Sequence, residues 1–138
     1  MDNNCIFCKI IKNEIPAHTI YENDYIKVFL DASQSTKGHT LIIPKKHVRN
    51  IYEIDQETLE HVFSIIPTIS NALKTTFNPI GLNILNNTDE PLQSVFHFHV
   101  HLIPRYKEDN FVIHGDNNFG KLSNDYLSDL VTKIKENI

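Results

Sequence analysis

The chain is poor in cysteine: Cys5 and Cys8 are the only two in 138 residues. Two thiols three positions apart cannot build a disulfide framework, so a hydrophobic core must carry the fold, and this length suffices for one. In a reducing compartment such a pair binds metal or does redox chemistry. Basic charge is not in excess either. Thirteen Lys+Arg against seventeen Asp+Glu leave a net charge of -4. No basic stripe interrupts that balance, which speaks against a protein that wraps nucleic acid. No apolar run approaches a membrane span, and the opening Met1-Asp2-Asn3-Asn4 has neither a basic n-region nor an apolar h-region. A glycine-rich Walker loop is missing, which argues against a kinase or P-loop ATPase. Ser94 has no Gly-x-Ser-x-Gly elbow around it, which argues against a serine hydrolase. These absences leave a cytoplasmic enzyme or binding protein, with residues 1–138 forming one domain.

The pattern of apolar residues predicts an α+β fold. Cys5 to Ile11 reads as a short turn or helix, ended before Pro16. Two apolar runs, 19–21 and 25–30, flank Glu22-Asn23-Asp24, which is hairpin chemistry. Gly38 precedes a third strand over 39–43, stopped by Pro44. Asp55 is the expected N-cap of a long helical segment reaching Phe77. Leu59, Val62, Phe63, Ile66, Ile69 and Leu73 keep helical spacing along it, and Pro67 predicts a kink or a break. A fourth strand spans 81–86, and a fifth carries the run 97–103. The tail, 107–138, holds a weak helix near 126–134. His61 falls off the apolar stripe and reads as surface, while His18 and His114 read as incidental. The order β-β-β-α-β-β predicts a mainly antiparallel sheet rather than parallel βαβ winding.

The densest chemistry is His97-Phe98-His99-Val100-His101-Leu102-Ile103. In an extended chain, successive side chains point to opposite faces. Phe98, Val100 and Leu102 are therefore expected in the core, with all three imidazoles on the other face. A row of histidines suits work on a polyanion, or a metal site beside a nucleophile. Four ligands close a structural zinc site. Cys5, Cys8, His47 and one histidine of the run can supply them if the third and fifth strands are close. Spacing does not choose which histidine. The outermost, His97, would leave two for catalysis.

With His97 on the metal, His99 is the nucleophile candidate. A neutral imidazole attacks phosphorus when one nitrogen is free and the other is held as N–H, and a backbone carbonyl can hold it. Charge on phosphoryl oxygens needs donors. His101, Gln93, Ser94 and Asn86 are the candidates.

These residues resemble the histidine triad (HIT) family, whose signature is three histidines alternating with apolar residues. The resemblance extends over 5–106, through Cys5-Ile6-Phe7-Cys8, Glu14-Ile15-Pro16, Tyr21-Glu22 and Phe29-Leu30-Asp31. It continues through Lys37-Gly38-His39-Thr40, Ile43-Pro44-Lys45-Lys46-His47, Gly81-Leu82-Asn83, Asn86-Asn87 and Gln93-Ser94-Val95-Phe96. It implies a homodimer whose two five-stranded sheets join into one. It also implies hydrolysis at the α-phosphate of purine nucleoside monophosphate derivatives, such as phosphoramidates, through a nucleotidyl-His99 intermediate. By position, His101 contacts phosphate and helps the leaving group, His39 supports the row, and the His97 carbonyl holds the His99 Nδ1–H. Asp31 accepts from the ribose. Phe7, Ile10, Phe29 and Leu30 line the base pocket, and Asn86, Gln93 and Ser94 face phosphate. The same resemblance implies a structural zinc on Cys5, Cys8, His47 and His97. Two other functions fit it: a nucleotide-binding regulator with little turnover, and a dinucleoside polyphosphate hydrolase.

The chain departs from the family at Leu92, where glycine is common. Leucine disfavours positive φ, so the loop is expected to run differently. The adjoining Asp89-Glu90-Pro91, acidic and stiffened by proline, predicts a cationic or amine leaving group over a second nucleotide.

Overall fold

The computed structural model describes residues 3–138. Met1 and Asp2, on which the expectation about the opening segment partly rests, lie outside the described residues. Five strands form one antiparallel sheet: β1 (Thr19–Glu22), β2 (Ile26–Leu30), β3 (Thr40–Pro44), β4 (Gly81–Leu85) and β5 (Val100–Arg105). Their order is β1-β2-β3-β5-β4. The helices are α1 (Ile6–Ile11), α2 (Gln56–Ser64), α3 (Ile66–Phe77) and α4 (Asn124–Lys135). No described helix is long and apolar enough to cross a membrane.

Period-two alternation divides the central strands between two cores. Ile26, Val28, Ile42, Val100 and Leu102 face α2 and α3, where they pack with Val62, Ile66, Ile69 and Leu73. Phe29, Leu41 and Ile43 point the other way, onto Phe7, Cys8 and Ile10 of α1. Phe98, Val100 and Leu102 are fully buried, as the alternation of the histidine run predicts.

Several local expectations are corrected. β5 begins at Val100, so His97 and His99 precede it and only His101 lies within it. Ladder pairing with β3 starts at Ile42↔Val100. Before that point, the Phe98 amide donates instead to the Val48 carbonyl, at 2.7 Å. The segment thus lies outside the ladder, after a bend over 95–97. Pro44 ends β3 from within, paired with Ile26. β4 stops at Leu85, one residue short of the expected end. The long helical segment breaks at Ile65, with Pro67 in the first turn of α3, where a missing N–H costs nothing. Asp55 does cap α2, accepting from the Thr58 amide at 3.1 Å. His61 is half-buried, not free surface: it stacks on Tyr25 with ring centroids 3.7 Å apart.

Gly38 needs to be glycine. Its φ of +90° is costly for other residues. A Cβ there would also sit 2.8 Å from the Phe77 ring. This turn delivers His39 to the head of β3.

Candidate functional site

Two clusters lie side by side, joined by one short stretch of chain. The first is the metal candidate. Cys5 caps α1, its Sγ accepting from the Cys8 amide at 3.4 Å. Cys8 Sγ lies 3.3 Å from His47 Nδ1, Cys5 Sγ lies 3.4 Å from His97 Nδ1, and the two Nδ1 atoms are 3.1 Å apart. His97 Nε2 is 2.8 Å from the Pro44 carbonyl, which can only accept. Nε2 therefore carries the hydrogen, and the Nδ1 lone pair faces the thiols. Tetrahedral zinc, with bonds of about 2.0–2.3 Å, separates its ligand atoms by roughly 3.3–3.7 Å. Two thiols and two imidazole nitrogens, all within 4.8 Å of one another, fit that ion. Zinc there would tie α1 to the end of β3 and to the chain entering β5. Four protein ligands close the shell, so its contribution is structural.

The second cluster contains the other two histidines of the run. His99 Nδ1 lies 2.6 Å from the His97 carbonyl, and so it must be the donor. Its Nε2 is left as a lone pair. The same logic fixes the next rings. Ser35 donates its amide to His39 Nδ1 at 3.3 Å, so the His39 hydrogen is on Nε2. That Nε2 lies 2.9 Å from His101 Nδ1, which must accept. His101 then presents Nε2–H. Neutral imidazoles thus place a nucleophilic nitrogen next to a hydrogen-bond donor, the ring centroids of His99 and His101 being 4.9 Å apart. Burial keeps them neutral. It lowers the His99 and His39 pKa values, and it pushes His101 down to about 4 with help from His99 and His39. Asp31 lies 3.8 Å from His39 Nε2. Burial raises the Asp31 carboxyl, but hydrogen bonds from Ser33 and the fields of His39 and His101 outweigh that and hold it lowered.

The structure brings most of the expected site residues together. Phe7 packs edge-on against His99 at 5.1 Å and against Phe29 at 5.7 Å. Ile10 and Phe29 are buried in the same core, while Leu30 and Asp31 are half-buried at its rim. Asn86 donates to the His99 carbonyl at 2.9 Å and so holds the segment carrying the nucleophile candidate, just before β5. Gln93 and Ser94 lie in the loop before the histidine run. The buried Gln93 amide is directed at the Arg49 and Val95 carbonyls, and its oxygen accepts from the Asp89 amide. Ser94 lines a cavity with Asn4, Cys5 and Phe96, on the metal side.

In the Leu92 loop the positive φ falls on Asp89, at 55°, rather than on Leu92. The Asp89 carboxylate is engaged by Arg49 at 3.2 Å and Asn50 at 3.1 Å. Some participants were missed from the sequence. The Ser35 amide and Pro44 carbonyl are backbone groups with no residue-type signal. His114, read as incidental, lines a cavity with His39 and His101.

Comparisons with known proteins agree with this geometry. The HIT domain family matches residues 12–108. The chain is 54% identical over 110 residues to "Protein hit" of Bacillus subtilis (strain 168), spanning 78% of this chain and 76% of that one. It is 38% identical over 110 residues to the adenylylsulfatase HINT3 of Arabidopsis thaliana, spanning 79% of this chain and 56% of that protein. A crystal structure of a HIT family protein from Bacillus anthracis superposes with a TM-score of 0.93 at 44% identity, covering 100% of this chain and 99% of that one. A Zn-bound histidine triad family protein from Mycobacterium smegmatis superposes at 0.74 with 31% identity, covering 94% of this chain and 97% of that one.

Proposed function

The chain belongs to the HIT domain family, and from that premise we propose that it is a nucleotide hydrolase acting at the α-phosphate of purine nucleoside monophosphate derivatives, phosphoramidates foremost. The observation that carries this reading is the hydrogen bond from His99 Nδ1 to the His97 carbonyl, at 2.6 Å, which leaves Nε2 free to attack. The likeness to an adenylylsulfatase supports chemistry at a nucleotide phosphate.

In this reading the His99 Nε2 lone pair forms a bond to phosphorus, and the P–N bond to the leaving amine breaks. The amine nitrogen takes that bond's electron pair together with the proton from His101 Nε2. Negative charge of the bound phosphate favours protonated His101 there, against the desolvation that lowers it in the free protein. Water then attacks the nucleotidyl-His99 adduct. The P–Nε2 electrons return to His99, and the proton of water returns to His101. The net reaction consumes one water and yields a nucleoside monophosphate and a free amine. Asp31 accepts from the ribose, and Phe7, Ile10, Phe29 and Leu30 take the base side. Zinc on Cys5, Cys8, His47 and His97 stays outside this chemistry.

The active species in this proposal is a homodimer of one-domain chains in a reducing, cytoplasmic setting. β4 is an edge strand with Gly81 and Ile84 exposed and its other residues half-buried, and its edge suits continuation of the sheet into a second copy. The test is a substrate panel with acid-free trapping of the protein adduct by mass spectrometry. Adenosine 5′-phosphoramidate should give a nucleotidyl adduct on His99, and His99→Ala should lose both adduct and turnover. Full turnover by that variant would overturn the assignment. Faster cleavage of a dinucleoside polyphosphate would favour that substrate class instead.

A further inference from the structure

Beside His101 and His39 opens a cavity of about 380 Å³, large enough for a small organic group. Its walls are mostly apolar, from Leu85, Leu92, Ile103, Phe111, Val112 and Ile113; Ser35, Asn87 and His114 add polar groups, and no carboxylate lines it. Four segments make it: the loop before β3, the β4–β5 pair, the loop before the histidine run, and the tail after β5. The tail is placed there by a polar clamp. Arg105 bonds both oxygens of Asp109, at 2.9 and 3.0 Å, and donates to the Phe111 carbonyl at 2.7 Å. Asp109 in turn accepts from the Tyr106 amide at 2.7 Å. The chain turns sharply and lays 111–113 against the site. Leu92 is 65% exposed, Val112 77% and Ile113 61%, so this is an apolar wall facing solvent beside the reactive row.

The row has two ends. Phe7 touches His97 and His99 at one end. The cavity is lined by His39 and His101 at the other. In-line displacement sends the leaving group away from the attacking nitrogen, toward the donor that protonates it. Given the function proposed above, that donor is His101. The acidic loop does not counter the apolar wall, because Asp89 is turned to Arg49 and Asn50 and is not among the lining residues. We therefore propose that this cavity receives the leaving group, and that it selects apolar or aromatic amines over cationic ones. Of the cationic or amine leaving groups that the acidity of Asp89-Glu90-Pro91 suggests from sequence, this selects the amines without a second charge.

The test compares adenosine 5′-phosphoramidates of ammonia, ethylamine, butylamine, phenethylamine and 1,4-diaminobutane on the intact protein. Burying each added methylene in an apolar site should raise kcat/KM by about three- to fivefold until the cavity is filled. The butylamine derivative should exceed its aminobutyl counterpart by at least ~10-fold, the range one unpaired charge or buried group commands. Leu92→Asp and Val112→Asp, both at exposed positions, should shrink or invert that ratio. A flat series overturns the proposal, as does equal or better use of the cationic amine. So does an unchanged ratio in both variants, or a change of oligomeric state in light scattering, which would make this wall a subunit contact. A flat series with His99 adduct formed throughout would remove the cavity's role and leave the hydrolase reading intact. No adduct from any substrate would remove both.

Discussion

His99 and His97 are joined by a 2.6 Å hydrogen bond from the Nδ1 of one to the backbone carbonyl of the other. The proposed nucleophile is therefore oriented by the residue that also offers its own Nδ1 to the thiols of Cys5 and Cys8. Metal site and reactive site share a piece of backbone, and disturbing the first should reach the second.

Removing a metal ligand should reveal that link. Cys8→Ser is expected to lose zinc, which the wild type should hold at about one equivalent per chain. Structural zinc is coupled to folding, so thermal stability should drop by several degrees or more. Elemental analysis and a melting curve check this. Wild-type protein that neither contains nor takes up zinc would sink the assignment.

His39 acts through His101. Ser35 and His39 together fix His101 with its hydrogen on Nε2. His39→Ala removes that constraint and should lower kcat by about 10²-fold for alkylamine leaving groups, the low end of general acid catalysis. A leaving group that needs no proton, such as a nitrophenolate, should suffer much less. Equal losses for both would mean that His39 is only structural.

Acid should destabilise the fold through these same rings. Burial lowers His39, and it pushes His101 to about 4. The unfolded chain titrates its histidines near 6.5. Below that pH the unfolded state binds more protons, so stability present above about 6.5 is lost as pH falls toward 4. Between pH 7 and 5 the zinc-loaded protein should melt on the order of 5 °C lower. His101→Gln should flatten that dependence; a profile as steep as wild type would show that other groups govern it.

Gly38→Ala should cost about 1–3 kcal/mol, combining positive φ with overpacking against Phe77. Chemical denaturation measures it. A stability change within error would mean that the turn relaxes freely.

Much of this arrangement was legible in the chain. The alternation of Phe98, Val100 and Leu102 with histidine predicted the faces correctly, because period two belongs to any extended backbone, in a ladder or not. For the same reason it could not say where β5 begins: His97 and Val100 look alike until pairing with Ile42 decides. Asp55 and Pro67 announced their cap and break because both act on the nearest turn. Gln93 and Ser94 did not announce their directions. Their partners, Arg49 for one and the Cys5 cavity for the other, lie tens of residues away.

Sequence alone determined the residue types and their faces: two thiols, a histidine row, and apolar residues behind it. These follow from local geometry and from side-chain chemistry. Tertiary structure decided what each imidazole can do. Pro44, the His97 carbonyl and the Ser35 amide choose which nitrogen of three rings bears the hydrogen. It also carried Phe111, Val112 and Ile113 to the side of His101 through the Arg105–Asp109 clamp. A hydrogen's position on a ring depends on the partner across the fold, and no pattern along the chain encodes that partner.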